Sequence, residues 1–382
     1  MIPLYRGFDG LDVSFRAQIN PEFEAALEEA KLHALTTQSD TCLPYAGQRM
    51  LVAASGARGG YAYRVSTGRT GATWFFKKPN PNDPWGVRVS CSSFMLAENG
   101  LGRSRAELYA FMDRLGVRVE DGGESIGRVD FAVDILAPEL TLRPENFVMH
   151  SNANRADHFE AGEVAVNGKS GRVTSVTIGK MPGRQVIVYD KRTEIIAKHK
   201  WAWVEIWNAS CERMGLPKLD IDDATNSRVW RAELRAGKKH LKEQWGIRSW
   251  FDLDCRFGDF ALDAVSAVRL TEPSRDSNRS RWQNSQFWNL IETELQSDLF
   301  EMRNFAPPGT IRRVHREAHM RLLAKQSLGL LVSRAAITDI GIDDLAAFAL
   351  AEGQAAAQEI ASNSEAVEGK LLRSAQRYDV EF

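Results

Sequence analysis

Cysteine is scarce: Cys42, Cys91, Cys211 and Cys255 stand far apart in 382 residues, with no C-x-x-C spacing. That excludes a thiolate metal cluster or a disulfide scaffold and reads as buried or free thiols in a reducing compartment. Apolar runs are short; none approaches the roughly 18 residues that a membrane span needs. The opening MIPLYRGFDGLDVSF lacks a basic segment followed by an apolar one, so no signal peptide is expected and the chain reads as cytosolic. Neither sign of charge dominates, with 49 Lys and Arg against 50 Asp and Glu. This excludes a uniformly basic coat or histone-like binder, but not a nucleic-acid enzyme with segregated charge. A G-x-x-x-x-G-K-[ST] phosphate loop is absent, which argues against ATP-driven chemistry.

What is present suits an ordinary globular protein of two or three domains, 43% hydrophobic and 26% charged. The composition predicts an α+β region over 1–272, a linker over 273–284 (RDSNRSRWQN at its heart) and a helical C-terminal region over 285–382. Short alternating runs at Leu11–Phe15, Met50–Ala54, Gly60–Ser66, Ala72–Lys77 and Gly86–Cys91, separated by SGARGG and STGRTG, predict antiparallel strands. Helices are expected from Pro21 to Leu35 and from Ser104 to Gly116, the second opened by a Ser104/Glu107 capping box.

Further on come a strand at Gly127–Leu136, a helix near Pro144–His150 and a hairpin of Val173–Gly179 with Gln185–Lys191. A helix over Thr193–Met214 and a strand at Ser227–Arg235 follow. That succession predicts a split β-α-β-β-α-β unit in the middle of the chain, with a weaker echo of it in the N-terminal part. Helices near Gln286–Glu301, Ile311–Ser333 and Asp339–Ser362 complete the chain.

Three of these strands carry charge on one face. Side chains alternate along a strand, so Arg128, Asp130 and Asp134 of RVDFAVDI share a face opposite Val129, Phe131, Val133 and Ile135. In QVIVYDK the shared face holds Ile187, Tyr189 and Lys191; in VWRAELR it holds Arg231, Glu233 and Arg235. If the strands are neighbours, carboxylates, arginines, a lysine and a tyrosine gather on one sheet face. Converging carboxylates repel unless cations neutralise them, and hard oxygen ligands suit Mg²⁺ or Mn²⁺. A phenol titrates near 10, so Tyr189 as a nucleophile needs a metal, a lysine or a base beside it. Two readings stay open: a phosphoryl-transfer site, or ion pairs on a solvated sheet face.

These segments resemble the replication initiation factor family, the rolling-circle initiators of plasmids and filamentous phages. The likeness is carried by FDGLDVSF, GLGRSRAEL, RVDFAVDI, TSVTIGKMPGRQVIVYDKRTEI and VWRAELRAGKKHL, and more loosely by RDSNRSRW and QFWNLI. The resemblance implies a central antiparallel sheet of the split β-α-β kind shared by HUH and RRM-like folds. It also implies an endonuclease that nicks and rejoins one origin strand through a tyrosine–5′-phosphate link. By motif position Tyr189 would be the nucleophile, Lys191 its charge partner, and Asp130, Asp134 and Glu233 the ligands of a divalent metal. The paired histidines of other rolling-circle families are missing from the seven present, which leaves a carboxylate site with His240 as an addition.

Basic residues cluster at 228–248 and 303–325, where Arg303 is one of them, while the tail from Asp339 is acidic. Expected DNA contacts are Arg128, Arg231, Arg235, Lys238, Lys239, Arg275, Arg279, Arg281, Arg312 and Arg316, with Val314, Leu322 and Leu323 turned to a core. Trp282 is a candidate base platform, whereas Trp288, Trp203 and Trp207 read as packing residues. Single- and double-stranded origin DNA is the expected partner, with a host helicase and a second copy of the chain as candidates. Two other readings remain: a non-catalytic DNA-binding regulator, and a metal-dependent hydrolytic nuclease in which Tyr189 is structural.

Overall fold

The long alternating segments at both ends of the N-terminal half set the architecture. β1 (Ile2–Ala17) and β7 (Val119–Leu136) pair antiparallel along their length and form the middle of the sheet. The structure, a computed structural model, describes residues 1–149, 164–169, 171–299 and 305–377. His150, His158, Arg303 and Tyr378 lie outside the described residues.

On one side of the central pair lie β2 (Thr41–Tyr45), β3 (Gln48–Val52), β4 (Tyr63–Ser66), β5 (Ala72–Phe76) and β6 (Val87–Cys91). On the other lie β9 (Val164–Lys169), β10 (Arg172–Gly179), β11 (Arg184–Asp190) and β12 (Val229–Gly237). The order is β2-β3-β4-β5-β6-β1-β7-β12-β11-β10-β9, eleven strands with antiparallel neighbours, so the fold is α+β around a central antiparallel sheet. β8 (Phe147–Met149) pairs separately with β13 (Val268–Leu270).

The split β-α-β-β-α-β order falls in the N-terminal half. With α1 (Pro21–Thr37) and α2 (Ser93–Arg114) as its helices, its strands lie β5-β6-β1-β7. In the middle of the chain β12 inserts between β7 and β11, and Pro144–Asn146 is a single 3₁₀ turn running into β8. The expected helix over 193–214 is two helices, α3 (Lys191–Lys198) and α4 (Ala202–Arg213), because His199 ends the first in the left-handed region.

The expected cap at Ser104 is also corrected. α2 starts eleven residues earlier, where the Ser92 hydroxyl accepts from the Met95 N–H, and it bends at Gly100, whose φ of 68° suits glycine. Ser104 is buried inside the helix and donates to the Met95 carbonyl.

α5 (Lys238–Gln244) and α6 (Trp250–Ala267) follow β12, and α7 (Gln286–Leu295) follows β13. α7 sends Phe287, Trp288, Ile291 and Leu295 into the main core, and Trp288 Nε1 donates to the Val265 carbonyl at 2.9 Å. The segment expected as a linker is tied down as well: Thr271 bridges Asn284, and Arg279 donates to the carbonyl of Phe147 at 3.1 Å. The boundary expected at 285 therefore falls inside packed structure.

α8 (Thr310–Ile337), about 42 Å long at 1.5 Å per residue, seats Ile311 and Val314 on a second core cluster. Contrary to expectation Leu322 and Leu323 are exposed, at 48% and 38%. α9 (Leu345–Ser362) and α10 (Ser364–Arg377) follow, and α10 lies against β2 and β3. Among the described residues no helix is long and apolar enough to cross a membrane.

The sheet separates two cores. Leu11, Val13, Phe15, Val129, Phe131 and Val133 point into the larger one, shared with α1, α6 and α7. On the opposite face a smaller cluster of Trp203, Ile206, Trp207 and Phe94 covers one end of the charged strands.

Candidate active site

Strand register brings the charged residues into rows, since directly paired residues share a sheet face. Tyr189, Arg231, Asp134 and Tyr5 form the first row across β11, β12, β7 and β1. Ile187, Glu233, Ala132 and Gly7 form the second; Gln185, Arg235, Asp130 and Gly10 form the third. The three strands singled out by sequence are thus adjacent, and their charged residues occupy one face.

Arg231 organises the first row. Its side chain is fully buried; Nε and Nη2 donate to the two carboxylate oxygens of Asp134 at 2.5 and 2.8 Å. Nη1 donates to Asp9 Oδ1 at 2.5 Å, and the guanidinium lies 4.3 Å from the centre of the Trp203 ring. Burial works against its charge, yet Asp134 and Asp9 hold its pKa well above the ordinary arginine value. Trp207 Nε1 adds a bond to Asp134 Oδ2 at 2.9 Å. Arg231 is therefore corrected from a DNA contact to an internal clamp, since all of its nitrogens are engaged inside the protein.

Asp9 reaches the site through a β-bulge between Phe8 and Gly10 in β1. Gly10 belongs there sterically: a Cβ at this position would stand 2.8 Å from Asp130 Oδ2. Burial would raise the Asp9 carboxyl, but Arg231, Lys191 and Lys200 outweigh it and hold the group below its ordinary value.

Tyr189 lies between a base and a cation. Its hydroxyl donates to Glu233 Oε2 at 3.1 Å and accepts from Lys191 Nζ at 3.4 Å. Burial raises the phenol well above 10, Arg231 counteracts this, and Glu233 and Asp9 add to it. Glu233 is buried and bound at Oε1 by Arg235 Nε at 2.6 Å. Burial first, then the negative charge of Asp9, raises its carboxyl above the usual range despite Arg235 and Arg231.

Lys191 opens α3, whose cap Asp190 accepts from the Thr193 N–H at 2.9 Å and from Arg172 Nη2 at 2.7 Å. This turn aims the Lys191 ammonium back at the tyrosine and at Glu194 Oε2, 2.6 Å away. Burial and Arg231 lower the Lys191 pKa. Burial would raise Glu194, but Lys191 and Lys200 hold its carboxyl well below the usual range.

A metal on Asp130, Asp134 and Glu233 does not fit this arrangement. Both oxygens of Asp134 are taken by Arg231, those of Asp130 by Arg128 at 2.8 and 2.6 Å, and those of Glu233 by Arg235 and Tyr189. Among the described residues no group of three or more His, Cys, Asp or Glu is placed to hold a metal ion. His240 meets the Phe260 ring edge-on and lines a ~320 Å³ cavity with Lys180, Pro182 and Lys239, at the β10–β11 turn.

The remaining expected DNA contacts divide. Arg128 and Arg235 border the cluster with side chains 37% and 33% exposed. Lys238, Lys239, Arg275, Arg312 and Arg316 are exposed. Arg312 donates to Thr70 Oγ1, and Arg281 sits 3.7 Å from Asp276. Arg279 is turned inward to backbone carbonyls and lies over Trp282, whose Nε1 donates to the Asp276 carbonyl, so that pair braces the segment.

No protein-family model matches the chain, and no curated protein matches it. Among solved structures, the chain is similar to a rolling circle replication initiator protein from Geobacillus stearothermophilus. The two are 14% identical, with a TM-score of 0.39 over 78% of this chain and 99% of that one.

Proposed function

We propose that the chain nicks and rejoins one strand of origin DNA in the bacterial cytoplasm, with Tyr189 as the nucleophile. The observation that carries this reading is the placement of the Tyr189 hydroxyl, 3.1 Å from a buried carboxylate and 3.4 Å from a buried ammonium. A phenol of raised pKa needs both: a base for its proton and a cation for the developing phenolate.

In this reading Glu233 accepts the phenolic proton as Tyr189 Oη attacks phosphorus. The P–O3′ bond breaks on the far side, O3′ takes a proton from water, and the 5′-phosphate stays on Tyr189 as a phosphodiester. The reverse reaction rejoins the strand without ATP, since the phosphotyrosine link conserves the bond energy. The raised carboxyl of Glu233 makes it a stronger base near neutral pH. Lys191 stabilises the phenolate, and the part-exposed Arg128 and Arg235, whose Nε sides already hold Asp130 and Glu233, offer their outer N–H groups to phosphate oxygens. No step is assigned to a divalent ion, because the carboxylates named for it are each held by arginine.

The test incubates the chain and Tyr189→Phe with labelled single-stranded origin DNA, with and without Mn²⁺, on a denaturing gel. Label joined to the parent chain and lost in the variant is expected. Cleavage that survives in the variant without an adduct would make it a hydrolytic nuclease. Binding without cleavage would make it a regulator.

A further inference from the structure

The sheet face that holds Tyr189 continues far beyond the charged cluster. Arg128 pairs with Asp12, and Asp12 with Ser90; one row further, Ser14, Arg88, Phe75 and Arg64 stand side by side on β1, β6, β5 and β4. Their neighbours Val13, Val87, Val89 and Val65 point into the main core, so this row points the opposite way, on the same side as Glu233 and Arg235.

Its chemistry is unusual for an outer sheet face. The Arg88 guanidinium is clamped 4.1 Å from the centre of the Phe75 ring and 4.9 Å from that of Tyr61. Its Nε is shielded and has no hydrogen-bond partner. Among the described residues no carboxylate pairs with Arg88 or with the exposed Arg64. At the edge of the same path Trp85 has Arg16 5.1 Å and Lys238 5.6 Å from its ring centre. A cation held between two rings without an acid is a fixed positive charge waiting for an anion, and the partly exposed Phe75 and Trp85 rings on this path are stacking surfaces, whereas Tyr61 is buried.

We propose that this face binds single-stranded DNA flanking the scissile phosphate, with Phe75 and Trp85 stacking on bases and Arg64, Arg88 and Arg16 meeting phosphates. The proposal rests on the reading of Tyr189 as the strand-cleaving residue. Charge complementarity selects a polyanion, and the alternation of rings with cations selects one with exposed bases. Continuity with the Tyr189 cluster sets the length. Five strand spacings of about 4.8 Å separate β11 from β5, and four two-residue rows of roughly 6.6 Å separate Tyr189 from Phe75 along the strands, or ~36 Å on the diagonal. That spans about ten stacked bases at roughly 3.4 Å each.

The experiment measures binding of oligonucleotides with flanks of roughly 3 and roughly 12 nucleotides beside the scissile site, over a salt series. The chains compared are Tyr189→Phe alone and the same chain carrying Arg64→Gln with Arg88→Gln. Arg103→Gln on the exposed surface of α2 serves as the charge control. For the long flank, the double variant is expected to bind about 10-fold more weakly, with the salt slope reduced by about 1.4, two contacts at ~0.7 each. Phe75→Ala should lose about 5-fold or more on that flank.

Loss independent of flank length, or no loss, would overturn the proposal, as would failure of the parent chain to bind the long flank more tightly than the short one. A photocrosslink from a bromodeoxyuridine flank is the check that needs no variant. Label on the peptides carrying Phe75 or Trp85 supports the platform, and label confined elsewhere overturns it. Flank-dependent loss without any adduct at Tyr189 would leave the platform standing and remove the nicking reading. An adduct with flank-independent binding would do the reverse.

Discussion

Asp9 and Arg231 lie 222 residues apart in the chain and meet at 2.5 Å on the sheet face that holds the candidate nucleophile. The contact ties the bulge of the first strand to the clamp beneath Tyr189, and it places a negative charge near Glu233.

That charge has a kinetic consequence. Asp9 helps to raise the Glu233 carboxyl, so Asp9→Asn should let Glu233 ionise at lower pH. The acid limb of the nicking rate against pH is then expected to move down. A limb that stays put or moves up would separate Asp9 from the base.

Asp134 has a structural consequence. It is the main partner of a fully buried arginine, and removing one member of such a pair typically costs about 3–5 kcal/mol. Asp134→Ala should show a loss of that size in urea unfolding. Asp130→Ala should lose less, because its partner Arg128 reaches solvent.

Much of this cluster was legible in the sequence, and the omission of Asp9 shows where legibility ends. Period-two alternation placed Asp130, Asp134, Arg231, Glu233, Arg235 and Tyr189 on one face, and their strands are adjacent. The same alternation puts residue 9 on the side of Leu11, Val13 and Phe15, in the core. The bulge at Phe8/Gly10 breaks the period and turns Asp9 to the other side, and the Asp-Gly step inside a strand was its only local signal. The arginines were legible as charges but not as partners, so Arg231 read as a DNA contact instead of a clamp. α7 read as the start of a separate region because its burial against α6 is a long-range contact that no local pattern carries. The platform row of Arg64, Phe75 and Arg88 was missed because each residue is unremarkable on its own short strand and gains meaning only from register.

Glu233 sets activity against stability. Its carboxyl lies above the ordinary value in the fold, so the folded chain holds that proton more tightly than the unfolded chain does. Ionising it costs stability at pH values above the raised pKa, and this cost is absent below the unfolded value near 4. Glu233→Gln should therefore raise the denaturant midpoint at about pH 8 and leave it unchanged near pH 4, while abolishing the adduct. Asp9 and Glu194 have the opposite sign. Their carboxyls are lowered, so they stabilise the fold at neutral pH, and that stability is lost as pH falls below the ordinary carboxylate range.

Lys191→Met removes the cation that faces the phenolate while Lys198 and Lys200 still pair with Glu194. The rate of adduct formation is expected to fall about 100-fold or more, as when one charge-stabilising donor is lost. Lys191→Arg should restore part of it in single-turnover kinetics.

The central claim is that the bond to DNA forms at Tyr189 Oη. Its most direct test is mass spectrometry of the proteolysed, nuclease-trimmed adduct formed on origin DNA. The expected result is a nucleotide 5′-phosphate on the peptide that spans Val188–Asp190, borne by the tyrosine. A nucleotide on any other residue, or cleaved DNA with no modified peptide, would contradict the account.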